Sequence, residues 1–231
     1  MRDVQWRILL EVIVQSVADA REASRGGADR LEVVRAIRDG GLTPPLALVK
    51  AIAAETPLPL RVIVRENAGY ETNAREVAAM RESASELAAA GVDGLVLGFA
   101  RGGRAALDDL ARVMEAAPGL PVTFHRAFDR LDDQLDAIDD LARAGRIDRI
   151  LTSGGDGTPA MRCERLREYV ARAGARLEVM AGGGVGEDAL SLFARTGCVR
   201  EVHVGRAARD GNDPEGPVSA ARVRRLRELA G

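Results

Sequence analysis

The chain has 231 residues, of which 46% are apolar and 29% charged, with a formal net charge of −2 and two cysteines, Cys163 and Cys198. These totals are typical of a soluble globular protein; they exclude a disordered chain and give no basic surface for nucleic acid or an anionic membrane. Two distant cysteines make neither a disulfide framework nor a thiol-rich zinc site. The sequence shows no targeting segment near the N-terminus and no run of about 20 apolar residues. Together with the net charge, these features predict a cytoplasmic protein that binds neither nucleic acid nor membrane.

Eight short apolar runs alternate with longer segments rich in alanine, arginine and glutamate. The longer segments carry apolar residues three and four positions apart, as an amphipathic helix does; Val77, Met80, Ala84 and Leu87 form one such stripe. Several of these segments end in glycine, which helix C-termini favour. The apolar runs, in chain order, are Ile8–Val14, Arg30–Val34, Leu60–Val64, Gly94–Leu97, Val122–Phe124, Arg149–Leu151, Leu177–Ala181 and Glu201–Val204.

This alternation predicts an α/β fold with a parallel sheet. Since no linker or change of composition divides the eight units, we predict a single (β/α)8 TIM barrel, one domain over residues 1–231. An open, doubly wound sheet is the alternative. That fold normally carries a glycine-rich phosphate fingerprint after its first strand, and the segment Glu11–Ser16 contains no glycine.

Ionisable residues collect where the predicted strands end. Glu11, Glu32 and Arg65 occupy the ends of the first three runs, and His125 and Arg126 follow the fifth. In a barrel these positions meet at one mouth, where catalytic residues lie. We predict Glu11 and Glu32 as general bases, His125 as general acid or base, and Arg65 and Arg126 as groups that orient an anionic substrate. The alternative is structural: the carboxylates pair with arginines, and Arg126 pairs with Asp129.

Glycine-rich turns follow the sixth, seventh and eighth runs. Backbone N–H groups in such turns bind anions, and barrels often hold phosphate after strands seven and eight. The alternative is that these glycines only permit tight turns. The predicted anion-binding residues are Ser153, Gly154, Gly182, Gly183, Gly184 and Gly205.

Six segments in collinear order resemble the CutC family. The resemblance covers essentially the whole chain and implies a (β/α)8 barrel linked by name to copper homeostasis, cytoplasmic and often a homodimer. Copper binding is implied by this resemblance alone. The segments are 27–32 with 40–44, Val122–Asp129, 149–154, 180–185 and 201–203.

Two departures from the family pattern bear on the site. Members proposed to bind copper carry cysteines near the ends of the first two strands, where this chain has Glu11 and Glu32 and no sulfur. Cu(I) prefers thiolate and thioether ligands. Glu11, Glu32, His125 and His203 would instead suit Cu(II), Zn(II) or another divalent ion. The residues after Arg65 also diverge. The alternative function is an isomerase- or lyase-type enzyme acting on a small anionic or phosphorylated metabolite.

Overall fold

Eight parallel strands close into a barrel in the computed structural model, which describes residues 7–231. The first strand pairs with both the second and the eighth, so the (β/α)8 prediction is confirmed and the open sheet is wrong. The first six residues of the predicted domain, 1–231, lie outside the described part. The strands are β1 Leu9–Val14, β2 Arg30–Val33, β3 Leu60–Ile63, β4 Gly94–Leu97, β5 Val122–Phe124, β6 Ile147–Thr152, β7 Glu178–Ala181 and β8 Glu201–Val204.

A helix follows each strand, and short polar signals set where the helices begin and end. The Ser16 hydroxyl accepts a hydrogen bond from the Asp19 N–H at 3.0 Å, and Asn73 and Glu76 form a capping box. Gly27 ends the first helix with φ at 89°. The helices are α1 Val17–Gly26, α2 Leu46–Glu55, α3 Ala74–Ala89, α4 Leu107–Glu115, α5 Gln134–Arg143, α6 Pro159–Ala173, α7 Glu187–Thr196 and α8 Ala220–Leu229.

A short antiparallel ribbon was not predicted from the sequence. After β4, residues Ala100–Arg101 pair with Arg104–Ala105 as a short antiparallel ribbon.

Within residues 7–231, no helix combines the length and apolar character needed to cross a membrane.

The two faces of each barrel strand are both buried but differ in chemistry. Leu10, Val12, Leu31 and Val33 are completely buried beneath the helices. Because side chains alternate along a strand, the residues between them point into the barrel. There the aligned positions include Glu11 on β1 and Arg30 on β2. Branched aliphatic side chains dominate most barrel interiors, whereas this one is charged.

These interior charges form a connected set of ion pairs, which we call the interior ion network. Arg30 donates to Glu11 and, at 2.6 Å, to Glu201. Arg149 donates twice to Glu201, at 2.5 and 2.9 Å. Removing a charge from water costs several kcal/mol unless it is paired, and here each buried carboxylate meets a guanidinium. The members are Glu11, Arg30, Arg61, Asp148, Arg149 and Glu201.

Candidate functional site

A cavity of about 390 Å³ opens at the ends of the strands, above the interior ion network. Its wall is apolar on one part, and charged or hydrogen-bonding groups occupy the rest. This is the volume of a small-molecule site. The apolar lining residues include Ile13, Val34, Ile37, Ile63 and Leu151; the polar and glycine lining includes Glu32, Arg65, Tyr70, His125, Arg126, His203, Arg206, Gly183, Gly184 and Gly205.

A line of three side chains leads from the barrel interior to the cavity, in the order Glu11, His203 and Glu32. His203 Nδ1 lies 2.7 Å from Glu11 Oε1, and His203 Nε2 lies 3.6 Å from Glu32 Oε2. The strand register produces this line, since Glu11 is paired with His203 and Ile13 with Glu32. Glu32 is 4% exposed, lines the cavity and accepts no hydrogen bond from any residue in 7–231.

The surroundings of the two carboxylates separate their pKa values. Burial raises the pKa of Glu32 to about 7. The nearby charge of His203 lowers this pKa, and the Glu11 carboxylate raises it further. For Glu11, burial also favours the neutral acid, but Arg30 and His203 outweigh it and hold the pKa well below its ordinary value. Burial opposes the charged form of His203, but Glu32 and Glu11 raise its pKa overall. Glu32 is therefore the carboxyl that can exchange a proton near neutral pH.

Glu11 does not reach the cavity. Its side chain is 1% exposed, and both carboxylate oxygens are already engaged, one by Arg30 and one by His203. We predicted Glu11 as a general base or metal ligand; the structure places it instead in the interior ion network, where it holds His203. This agrees with the structural alternative, in which the carboxylate pairs with an arginine.

His125 is held as a neutral imidazole. Its Nδ1 accepts a hydrogen bond from the Ala127 N–H at 3.2 Å, so the ring proton resides on Nε2. Burial, together with the positive charges of Arg65 and Arg126, lowers its pKa to about 3. Nε2 is buried and has no hydrogen-bond partner among the described residues. His125 lines the cavity, and its Nε2–H is an uncharged donor that no described residue uses.

Arg65 lines the cavity but has no donor left for an anion. Its guanidinium lies 4.9 Å from the centre of the Tyr70 ring. The expectation that Arg65 orients an anionic substrate does not match these contacts; the side chain braces the loops after β2 and β3. Its three nitrogens donate to loop carbonyls of Asp39, Gly40, Gly41, Ala68 and Gly69.

Arg126 pairs with Asp129, as the structural alternative predicted. Arg126 Nε donates to Asp129 Oδ2 at 2.8 Å. Asp129 also accepts from the Thr152 hydroxyl at 2.6 Å and from the Ser153 N–H, so it joins the loops after β5 and β6. The Arg126 side chain is nevertheless 44% exposed and lines the cavity, with two terminal nitrogens that have no partner among residues 7–231.

The predicted anion-binding residues divide into two groups. Gly183, Gly184 and Gly205 line the cavity. The other three do not line it, and their N–H groups are used within the fold: Ser153 donates to Asp129, Gly154 to the Thr152 hydroxyl and Gly182 to the Thr152 carbonyl.

The predicted metal ligands do not converge. Glu11 and Glu32 face opposite nitrogens of the His203 ring, and Glu11 is neutralised by Arg30. Across residues 7–231, no three histidine, cysteine, aspartate or glutamate side chains are grouped so as to hold a metal ion. Cys163 and Cys198 are free and buried, and the Cys163 thiol lies 3.2 Å from the Thr196 hydroxyl.

Several residues of the cavity were not predicted from the sequence, among them Tyr70 and Arg206. Tyr70 stacks edge-on against His125, with ring centres 5.5 Å apart. Arg206 directly follows Gly205 after β8. Its position directly after the glycine that follows β8 was the available signal for Arg206, whereas nothing in the sequence links Tyr70 to His125.

Comparisons with known proteins agree with this architecture. The CutC family model matches residues 8–208. CutC family proteins from Caulobacter vibrioides (strain NA1000 / CB15N) and Salmonella schwarzengrund (strain CVM19633) are 37% and 38% identical, cover 85% and 84% of this chain, and are themselves covered over 80% and 78% of their lengths. A solved structure of CutC from Streptococcus agalactiae, whose name assigns it to copper homeostasis, superposes with a TM-score of 0.78 at 26% identity, over 85% of this chain and 97% of that one. The chain belongs to the CutC family.

Proposed function

We propose that the cavity is an active site for proton transfer at a carbon next to a carbonyl group, an isomerase- or lyase-type step on a small anionic molecule. One observation carries the proposal. Glu32, a buried carboxyl with no hydrogen bond, and His125, a buried imidazole with an unpartnered N–H, line the same cavity from strand ends three strands apart. Apart from the Glu32–His203 contact at 3.6 Å, neither group has a partner for these atoms within residues 7–231, and a buried polar group costs free energy until a partner such as a ligand satisfies it.

The chemistry follows from the two protonation states. The Glu32 carboxylate takes a proton from the carbon, whose electron pair forms a carbon–carbon double bond while the carbonyl π electrons move to the oxygen. That oxygen accepts a hydrogen bond from His125 Nε2. A neutral imidazole suits this role because it stabilises developing negative charge without giving up its proton to a nearby carboxylate. In a hydroxy-carbonyl compound, transfer of the hydroxyl proton to the enolate oxygen, with return of the carbon proton to the former carbonyl carbon, re-forms a carbonyl at the neighbouring carbon and gives the isomer. In the lyase-type step the carbonyl re-forms at its original carbon, and a leaving group on the carbon β to it departs with its bonding electrons.

Exchange of hydrogen for deuterium tests the step without knowledge of the product. The full chain is incubated in D2O with small hydroxy-aldehydes, hydroxy-ketones and their phosphates, and loss of the C–H signal is followed by proton NMR. We expect exchange with at least one compound and a loss of at least about 100-fold in Glu32→Gln. Arg21→Gln, on the exposed surface of α1, serves as the matched control and keeps the wild-type rate. Exchange that persists in Glu32→Gln contradicts the proposal.

The family name favours a second candidate, binding of copper. The described residues fit this ion poorly. The Met180 thioether already lies 3.3 Å from Arg30 Nη2, and the two thiols are buried in α6 and before β8. Titration of the chain with Cu(I) against a chelator tests the point; no binding tighter than about micromolar, weaker than intracellular copper sites need, would end this candidate.

Location and assembly remain proposals. The family resemblance is the basis for a cytoplasmic homodimer of one-domain chains, and the net charge of −2 supports the absence of a nucleic-acid partner. Light scattering coupled to size-exclusion chromatography measures the oligomeric state directly.

A further inference from the structure

We propose that Arg126, Arg206 and the Gly183–Gly184 turn form a subsite for a phosphoryl dianion, so that the substrate is a phosphomonoester. The inference rests on the proposed function and names the substrate class for it. The subsite lies on the β7–β8 side of the same cavity, where the loops after these strands meet.

Among the four described arginines that line the cavity, Arg206 is the one whose charge has no partner. Its backbone carbonyl accepts a hydrogen bond from the Arg209 N–H, but its guanidinium takes part in no ion pair or hydrogen bond within residues 7–231. By contrast, Arg38 on the same rim pairs with Glu215 at 2.7 Å. The Arg206 guanidinium lies near the glycine turn: a methyl group built on Gly184 would lie 3.6 Å from Arg206 Nη2.

Arg126 approaches the same turn from β5. A methyl group on Gly183 would lie 2.9 Å from the central guanidinium carbon of Arg126, so the arginine would have to move away from a side chain at this position. Asp129 holds Arg126 by Nε only, which leaves both terminal nitrogens for a ligand. Two guanidinium groups directed at one turn match the several oxygens of a phosphoryl group.

The turn itself supplies backbone donors. Gly183 and Gly184 have φ values of 68° and 75°, a conformation open to glycine, and their N–H groups donate to no acceptor in residues 7–231. Successive free N–H groups in such a turn form an anion-binding concavity. The absence of side chains here keeps the space between the two arginines open.

The remaining polar groups orient the rest of the ligand. His125, with its buried unpartnered Nε2, lies next to Arg126 in sequence, and Glu32 lines the cavity from β2. A phosphomonoester anchored at the β7–β8 turn therefore extends its carbon chain between Glu32 and His125. A phosphate-bearing carbonyl compound fits all three groups.

Isothermal titration of the full chain with inorganic phosphate and with glycerol 3-phosphate tests the subsite. We expect saturable binding of both, weakened about tenfold or more in Arg206→Gln, because charge-assisted hydrogen bonds are lost. Arg38→Gln removes the same charge from the rim and is expected to change affinity less than about twofold. Glu32→Gln is expected to keep phosphate binding.

Three results would overturn the inference: no saturable binding at millimolar phosphate, equal losses in Arg206→Gln and Arg38→Gln, or binding of phosphate without glycerol 3-phosphate. The last would mark a site for the free anion. Phosphate binding with no deuterium exchange would instead refute the proposed function and leave the subsite standing, so the two failures are distinguishable.

Discussion

Glu32→Gln should change how the stability of the barrel depends on pH. The folded protein raises the pKa of Glu32 from 4.5 to about 7, mainly by burial. A carboxyl with a raised pKa binds its proton more tightly in the folded state, so its contribution to stability is complete below pH 4.5 and is lost as the pH rises through 7. At about 1.4 kcal/mol per pKa unit, the ionised carboxylate destabilises the fold by about 3 kcal/mol.

Urea unfolding at about pH 5 and pH 8 measures this effect. Between these values we expect the free energy of unfolding of Glu32→Gln to gain about 2–3 kcal/mol relative to the wild type. Because Glu32 and His203 face one another, the gain belongs to the pair. The control is Glu228→Gln, which removes a carboxylate 61% exposed on α8 and should follow the wild type at both pH values. Parallel curves for Glu32→Gln and the wild type would refute the reasoning.

Two further substitutions probe the interior ion network and the cavity. Arg30→Met leaves buried Glu11 without its main counter-charge and should lower the free energy of unfolding in urea by about 3–5 kcal/mol. The control Arg21→Met breaks an exposed pair with Glu55 and should cost about 1 kcal/mol or less. Equal losses would contradict a stabilising interior ion network. His125→Phe removes a group whose pKa falls from 6.5 to about 3 on burial, so the wild type should lose more than about 2 kcal/mol relative to the variant between about pH 7 and pH 4. If the free energy of unfolding of the wild type falls no more steeply than that of His125→Phe over this pH range, this histidine is not held neutral.

The barrel was predictable because its signals are local. Each apolar run is short and each helix that follows has its own stripe, cap or terminal glycine, as Ser16 and Gly27 show for α1. The strand bounds differ by a few residues from those predicted, the largest change being the start of β6 at Ile147 rather than Arg149. The short ribbon at Ala100–Arg101 was missed because two-residue strands have no periodicity.

The site was only partly predictable because its pairings are not local. Glu32 and His125 line the cavity as expected. The roles of Glu11 and Arg65 depend instead on the groups that already occupy their hydrogen-bonding atoms. Glu11 meets His203 across 192 positions of sequence, and this separation follows from barrel closure. Arg65 meets carbonyls of a loop that begins 26 positions earlier, and no residue pattern signals such contacts.

A charged barrel interior limits how this protein can change over time. In an aliphatic core, a lost methyl group leaves a small void that neighbours partly fill, so single replacements are tolerated. Here Arg30 bridges Glu11 and Glu201. Replacing any one of these residues leaves a buried charge without its counter-charge on a neighbouring part of the barrel. Viable replacements must therefore come in compensated sets, and interacting sites of this kind are not additive. Among related chains, positions 11, 30, 149 and 201 should vary together, and a relative that has lost the arginine at position 30 should also have lost one of the carboxylates that it neutralises.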